Sequence, residues 1–238
     1  MDGRIFRWIN RFADRTGWAH ATFKANANFG IVVFALLLLA AYIDGRHHHD
    51  LRAVAASVWA GGATLIALGI GQIIGNAFDR ARPYETMNGV HVLVDRTTDF
   101  SFPSDHATAV GAVAAGLLIA NRRWGLIAAA LALLMAFTRV YVGAHYPGDV
   151  VAGLALGAIV AAGVGVVVVP VLTRLASRID STRLGIVVSR RSKTTPPARP
   201  VQRRFVNTTR RSARQSIWVE EYQWRGQWWR GHCGGGRI

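Results

Sequence analysis

Three short polar clusters interrupt a mostly apolar chain: Arg80-Ala81-Arg82-Pro83, Phe102-Pro103-Ser104-Asp105-His106, and Arg139 followed by His145-Tyr146-Pro147-Gly148-Asp149. Arginine carries a planar fork that makes paired, charge-assisted bonds to phosphate oxygens, and three such groups neutralise a pentavalent phosphoryl transition state without a metal. His145 and Asp149 are spaced i to i+4. On a helix that starts near Pro147, a favoured first-turn residue, the carboxylate is expected to reach the imidazole. A carboxylate that fixes one tautomer leaves the other ring nitrogen free to act as a nucleophile. Ser104 or Asp105 is placed to cap a helix whose free N–H groups and positive dipole end suit an anion. Each cluster alone has a structural reading, as a capped helix or a local ion pair. Two histidines and three arginines gathered on one face point to phosphoryl chemistry.

The acidic residues near these clusters, Asp79, Glu85, Asp95, Asp99 and Asp105, lack the spacing of metal ligands, so no metal and no cofactor is expected. The run His47-His48-His49 reads as a solvated turn, because adjacent residues do not share a helix face. His91, among Met87, Val90, Val92, Leu93 and Val94, lies in a loop that packs or forms a lid; packing is the simpler reading.

The elements that must carry these clusters are membrane helices. Five stretches lack charge for long enough to span a bilayer: about 27–43, 53–78, 105–121, 124–142 and 150–172. The third and fourth have only 15 uncharged residues between their flanking charges. That is about 22 Å of helix against a bilayer core of about 30 Å. Spanning helices must therefore include or approach His106 and Arg139. The turn Arg122-Arg123 closes an antiparallel hairpin, and His106 lies 17 residues before Arg123 while Arg139 lies 17 after Arg122. Folding the hairpin brings both to one depth. Small residues recur every fourth position at Ala107, Gly111 and Ala115 and at Gly153, Gly157, Ala161 and Gly165, a pattern that lets helices approach closely in lipid.

Charge is unevenly distributed. Residues 173–238 hold 15 of the 28 Lys and Arg but only Asp180, Glu220 and Glu221, leaving +12 of the formal +15 in the tail. This excludes a uniformly basic nucleic-acid binder and describes a membrane body with a basic appendage. Positive loops stay cytoplasmic, which places Arg122-Arg123 and the tail inside and residues 79–104 and 143–149 outside. Arg4, Arg7, Arg11 and Arg15, interleaved with Ile5, Phe6, Trp8, Ile9 and Phe12, form an amphipathic interfacial helix. Five spans with an inner C-terminus put this basic segment outside, against the same charge rule. The tail is rich in Arg, Ser, Thr and Pro and is expected to be largely disordered, with Trp218, Trp224, Trp228 and Trp229 near its end. The lone Cys233 forms no intrachain disulfide.

The expected architecture is all-α: a transmembrane bundle of five or six helices. It comprises an interfacial segment (1–26), a membrane domain (27–172) and a basic cytoplasmic tail (173–238).

Arg82-Pro83, Pro103-Ser104-Asp105-His106 and Arg139-x5-His145-x3-Asp149, in that order, resemble the type-2 phosphatidic acid phosphatase superfamily. Its pattern is Lys-x6-Arg-Pro, Pro-Ser-x-His and Ser-Arg-x5-His-x3-Asp. The likeness covers roughly residues 50–170, and the Phe-Pro-Ser-Asp-His form is most similar to bacterial undecaprenyl-diphosphate phosphatases of the bacitracin-resistance type. The resemblance implies that His145 attacks phosphorus and becomes phosphohistidine, with Asp149 orienting it. His106 protonates the leaving group, and Arg82, Arg139, Ser104 and N–H groups near Asp105 hold the oxygens. The implied substrate is a polyprenyl diphosphate, or, as the alternative, phosphatidate or phosphatidylglycerol phosphate, at the outer face of the cell membrane. Vanadate-dependent haloperoxidases share the constellation but resemble soluble proteins. A non-catalytic anion binder has no need of the paired histidines and Asp149. Two positions depart from the pattern: Gly75 stands where the lysine is expected, leaving its role vacant or taken by Arg80, and Thr138 replaces the serine.

Overall fold

A computed structural model describes residues 1–180 and, farther on, residues 202–210, 213–224 and 227–232. Its helices are α1 (Asp2–Arg15), α2 (His20–His47), α3 (Leu51–Phe78), the single turn α4 (Pro83–Thr86), α5 (Asp105–Ala120), α6 (Arg122–Tyr141), α7 (Pro147–Ile159) and α8 (Gly165–Asp180). A π-helical turn, Val160–Val164, joins α7 to α8, and Trp59 Nε1 donates to the Ala161 carbonyl there at 2.8 Å.

Four helical runs are long and apolar enough to cross a membrane: Gly17–His47, Leu51–Thr86, Arg122–Tyr141 and Pro147–Ile179. The shorter, apolar α5 packs between them, against α3, α6 and α7. Exposed Leu36, Leu39, Leu65, Ile73, Leu133, Val166 and Val167 give the bundle an oily outer surface, as a lipid solvent requires. Four of the five expected spans thus fall on helical runs of spanning length, and the third, about 105–121, falls on the shorter α5. Local chemistry sets where they start. Asp50 caps α3 by accepting from Ala53 N, and Asn121 caps α6 by accepting from Arg123 N, which closes the tight α5–α6 hairpin.

The small-residue stripes bring backbones together. A Cβ on Gly157 would stand 2.1 Å from the Thr108 carbonyl oxygen, and one on Gly153 2.6 Å from that of Ser104. Gly111 faces Leu154 in the same way, so α5 and α7 meet backbone to backbone.

Helix α1 is not a pass. It buries Phe6, Asn10 and Ala13 against the bundle and exposes Ile5, Trp8 and Phe12 beside four exposed arginines. Asn10 exchanges two 2.8 Å bonds with the His91 backbone, and Thr16 Oγ1 lies 2.7 Å from the Tyr141 hydroxyl. These contacts hold α1 at the end of the bundle where α6 finishes and α7 begins. The run around His91 is packed: Met87 and Val90 join Phe6 and Val140, and Leu93 and Val94 join Tyr141 and Val142.

The C-terminal residues form a separate compact unit from Arg191 onward. Its described residues pair as three antiparallel strands, β1 (Gln202–Arg210), β2 (Ala213–Trp224) and β3 (Gln227–His232), with registers from Gln202↔Glu221 and Val219↔His232. Strand-favouring Phe205, Val206, Thr208, Ile217, Val219 and Tyr222 supply the local preference for these strands. Cys233 lies outside the described residues.

Candidate active site

The ends of α5 and α6, a stretch of α2, the α6–α7 turn and the 79–104 loop surround a cavity of about 390 Å³. Arg82, Asp99, Asp105, His106, Arg139 and His145 line it, with Ala27 and Asn28 of α2 and Val94, Asp95, Thr97 and Phe100 of the 79–104 loop. His106 and Arg139 therefore meet at one depth, as the hairpin arithmetic requires.

His145 sits in the turn between α6 and α7 and is 2% exposed. Both Ala144 N and His145 N donate to the Arg139 carbonyl, which ties the turn to the arginine. Gly143 holds φ +80°, and a Cβ there would lie 2.7 Å from the His91 carbonyl, so glycine alone suits this position. His145 Nδ1 lies 2.8 Å from the Ser101 carbonyl oxygen. A carbonyl only accepts, so Nδ1 carries the hydrogen and Nε2 the lone pair. Nε2 faces the cavity, 3.3 Å from Arg82 Nη1. Burial, then the charges of Arg139 and Arg82, hold the imidazole well below its ordinary pKa, and so in its neutral, nucleophilic form.

Arg82 is 5% exposed and donates to the Ala144 carbonyl at 3.1 Å, to the Asp99 carbonyl at 3.2 Å and to Asp99 Oδ1 at 3.0 Å. Burial acts to raise the Asp99 pKa, but a bond with Thr97 and the Arg82 charge outweigh it, so the carboxylate is ionised on the cavity rim. Arg139 is nearly buried with Nε unpartnered, and the fully buried Ser104 Oγ is unpartnered too. Two buried donors left unsatisfied by protein, beside two arginines and a helix N-terminus, fit the oxygens of a phosphoryl group.

Three expectations need correction. Ser104 occupies the N-cap position of α5, yet its side chain makes no cap bond. Asp105 takes both of its bonds from Gln72, at 3.0 and 2.9 Å. Asp149 does not touch the His145 ring: the i to i+4 reading needs one continuous helix, but His145 precedes the α7 N-cap residue Tyr146, where the chain is extended. The carboxylate instead accepts from Tyr146 N at 3.0 Å, Ser101 Oγ at 2.5 Å and Arg80 Nη1 at 2.5 Å. Arg80 is held there, away from the cavity, by Asp149 and Asp2, and so does not replace the missing lysine. At Gly75 itself a Cβ would stand 3.2 Å from the Phe102 carbonyl, so the loop backbone occupies the space a side chain would enter.

Residues 56–171 match the PAP2 superfamily. Over 160 residues the chain is 30% identical to undecaprenyl-diphosphatase BcrC of Bacillus subtilis, an alignment covering 67% of this chain and 80% of that one. The chain belongs to the PAP2 superfamily. It is 37% identical to an undecaprenyl-diphosphatase of Sulfolobus acidocaldarius over 39% of this chain and 46% of the relative. The crystal structure of Aquifex aeolicus LpxE shares the fold, with a TM-score of 0.50 and 24% identity over 67% of this chain and 92% of that chain. The protein is thus a PAP2 membrane phosphatase whose described residues 1–180 are built from helices.

Within this PAP2 site, sequence reasoning missed Ser101, Asp99 and Gln72. Ser101, fully buried, holds both His145 and Asp149; its only signal was its place two residues before Pro103 in the polar cluster. Asp99 and Gln72 carry no motif, and their partners depend on how the 79–104 loop folds back.

Proposed function

We propose that this PAP2 phosphatase hydrolyses undecaprenyl diphosphate to undecaprenyl phosphate and inorganic phosphate. The observation that carries the mechanism is the fixed His145 tautomer, with Nδ1–H on the Ser101 carbonyl and the Nε2 lone pair facing a cavity that holds Arg82, Arg139 and His106. Nε2 attacks the terminal phosphorus. As the N–P bond forms, the bridging P–O bond breaks, and His106 gives its proton to the departing lipid phosphate. His106 then takes a proton from water, whose oxygen attacks phosphohistidine and releases phosphate. Arg82, Arg139, Ser104 Oγ and the α5 N-terminus near Asp105 hold the equatorial oxygens throughout.

The substrate choice draws on relatives named undecaprenyl-diphosphatase. In this reading residues 1–26 form an interfacial segment, 27–172 the catalytic membrane domain and 173–238 a cytoplasmic appendage. The site faces the outside, because Arg122 and Arg123 lie at the opposite end of α5 and α6. The isoprenoid chain stays in the bilayer while the head group enters beside α2.

The test is phosphate release in detergent with EDTA present, from undecaprenyl diphosphate and from phosphatidate, by wild type and His145→Ala. Release from the diphosphate that survives EDTA and is lost in the variant supports this reading. A preference for phosphatidate overturns the substrate, and release by His145→Ala overturns the nucleophile.

A further inference from the structure

Behind the cavity, a chain of polar contacts runs from the His145–Ser101 bond through Asp149 to Arg80 and Asp2, two residues that the mechanism above does not use. Arg80 sits at its centre. Its Nη1 bonds Asp149 Oδ1 at 2.5 Å, its Nη2 bonds Asp2 Oδ2 at 2.6 Å, and its guanidinium lies 4.2 Å from the centre of the Tyr146 ring. Asp2 Oδ1 also accepts from Gly148 N at 2.9 Å, in the turn that carries Asp149. On the other side, Asp149 Oδ2 takes the Ser101 hydroxyl, and the Ser101 carbonyl takes His145 Nδ1–H. The Asp149 side chain is fully buried, so a carboxylate there needs every one of these partners.

We infer that Asp2 and Arg80 are positioning residues for the nucleophile, acting through Asp149 and Ser101, so that helix α1 is part of the catalytic apparatus. The inference rests on His145 being that nucleophile. Arg80 neutralises and orients Asp149, Asp149 fixes Ser101, and the Ser101 carbonyl fixes the imidazole tautomer. Asp2 closes the set by holding the other end of the Arg80 fork, so that its Nη1 stays aligned on Asp149. The Arg80–Asp2 pair is about one-third exposed, so solvent screens it, and its value lies in direction rather than in strength.

The test measures kcat and KM with undecaprenyl diphosphate for full-length wild type, Asp2→Asn, Asp2→Glu, Arg80→Gln and the Asp2→Asn/Arg80→Gln pair. Arg11→Gln, on the exposed side of α1, is the control. Asp2→Asn is expected to lower kcat about tenfold, through a misaligned Arg80–Asp149 contact rather than through the strength of the screened pair, with KM unchanged and with recovery in Asp2→Glu. In the Arg80→Gln background the same change is expected to cost less than about twofold, because the two residues act in series. A kcat for Asp2→Asn equal to that of Arg11→Gln, losses that multiply in the pair, or a loss confined to KM overturns the inference.

If wild type releases phosphate from neither undecaprenyl diphosphate nor phosphatidate, the functional reading fails and the positioning question passes to spectroscopy. Histidine-15N spectra, with the His145 signal identified by its loss in His145→Ala, are then expected to show the Nδ1–H tautomer in wild type and a mixture in Arg80→Gln. An unchanged His145 signal in Arg80→Gln overturns the inference independently of turnover.

Discussion

The Nδ1 atom of His145 lies 2.8 Å from the carbonyl oxygen of Ser101, so the tautomer of this imidazole is set by main chain rather than by a carboxylate. A backbone acceptor has no titration of its own. The proton stays on Nδ1 at every pH at which the turn is folded, and Nε2 remains the only nitrogen that can attack.

This gives the first pH prediction. Burial, then the Arg139 and Arg82 charges, hold His145 well below the ordinary histidine value, so lowering the pH through about 6.5 leaves Nε2 of this proposed nucleophile unprotonated. Single-turnover phosphohistidine formation is expected to show no His145 limb near that pH. The sign for stability is the opposite of protective: below about 6.5 the unfolded chain binds a proton that the native His145 refuses. The contribution is therefore present at neutral pH and is lost as pH falls toward the depressed native value. Denaturation midpoints of wild type and His145→Ala should converge as the buffer is acidified.

His106→Asn separates the two chemical steps. Removing a general acid–base group costs about 10²- to 10⁴-fold in turnover. The residue lines the cavity opposite no other histidine than His145 among the described residues, so no second imidazole replaces it. Rapid quench with a labelled terminal phosphate should show the loss in both formation and breakdown of an acid-labile protein adduct.

Ser104→Ala dissociates function from folding. Its hydroxyl is fully buried and makes no hydrogen bond among the described residues, so its removal should leave stability unchanged or raise it by about 1 kcal/mol. Losing an oxygen-binding donor should still slow turnover about tenfold or more. Thermal unfolding and steady-state kinetics on one preparation measure both.

Gly157→Val tests the α5–α7 contact. A Cβ at this position would meet the Thr108 carbonyl at 2.1 Å, whereas one at Gly163 meets nothing within 4 Å. Overpacking should cost at least about 1–3 kcal/mol at Gly157 and shift Ser104 and His106 with the helix, while Gly163→Ala is tolerated. Denaturant titration in detergent distinguishes the two.

That Arg82, His106, Arg139 and His145 line one cavity was legible because each lies near the end of an apolar run, and run lengths fix depth. Glycine spacing likewise announced the α5–α7 contact, since only small residues let two backbones touch. Partner choice among the charged groups was not legible. Arg80 and Arg82 are two residues apart, yet one faces Asp2 and Asp149 while the other faces the cavity. Which way each turns depends on the 79–104 loop, which has no period to read, and on α1, whose contact with it joins residues 78 positions apart. Asp149 was assigned to the right neighbourhood and the wrong neighbour. The i to i+4 rule presumes continuous helix, and the extended Tyr146 breaks it.

The bare contact between Gly157 and Thr108 also decides how the cavity can breathe. Two main chains in direct touch have no side-chain layer to slide on, so α5 and α7 behave as one rigid wall carrying Ser104, His106 and Asp149. The facing side, where Ala27 and Asn28 of α2 and the 94–100 stretch meet the cavity, is built from side chains and loop. Dilation to admit a bulky head group is therefore expected on the α2 and loop side, while His106 keeps its register with α7.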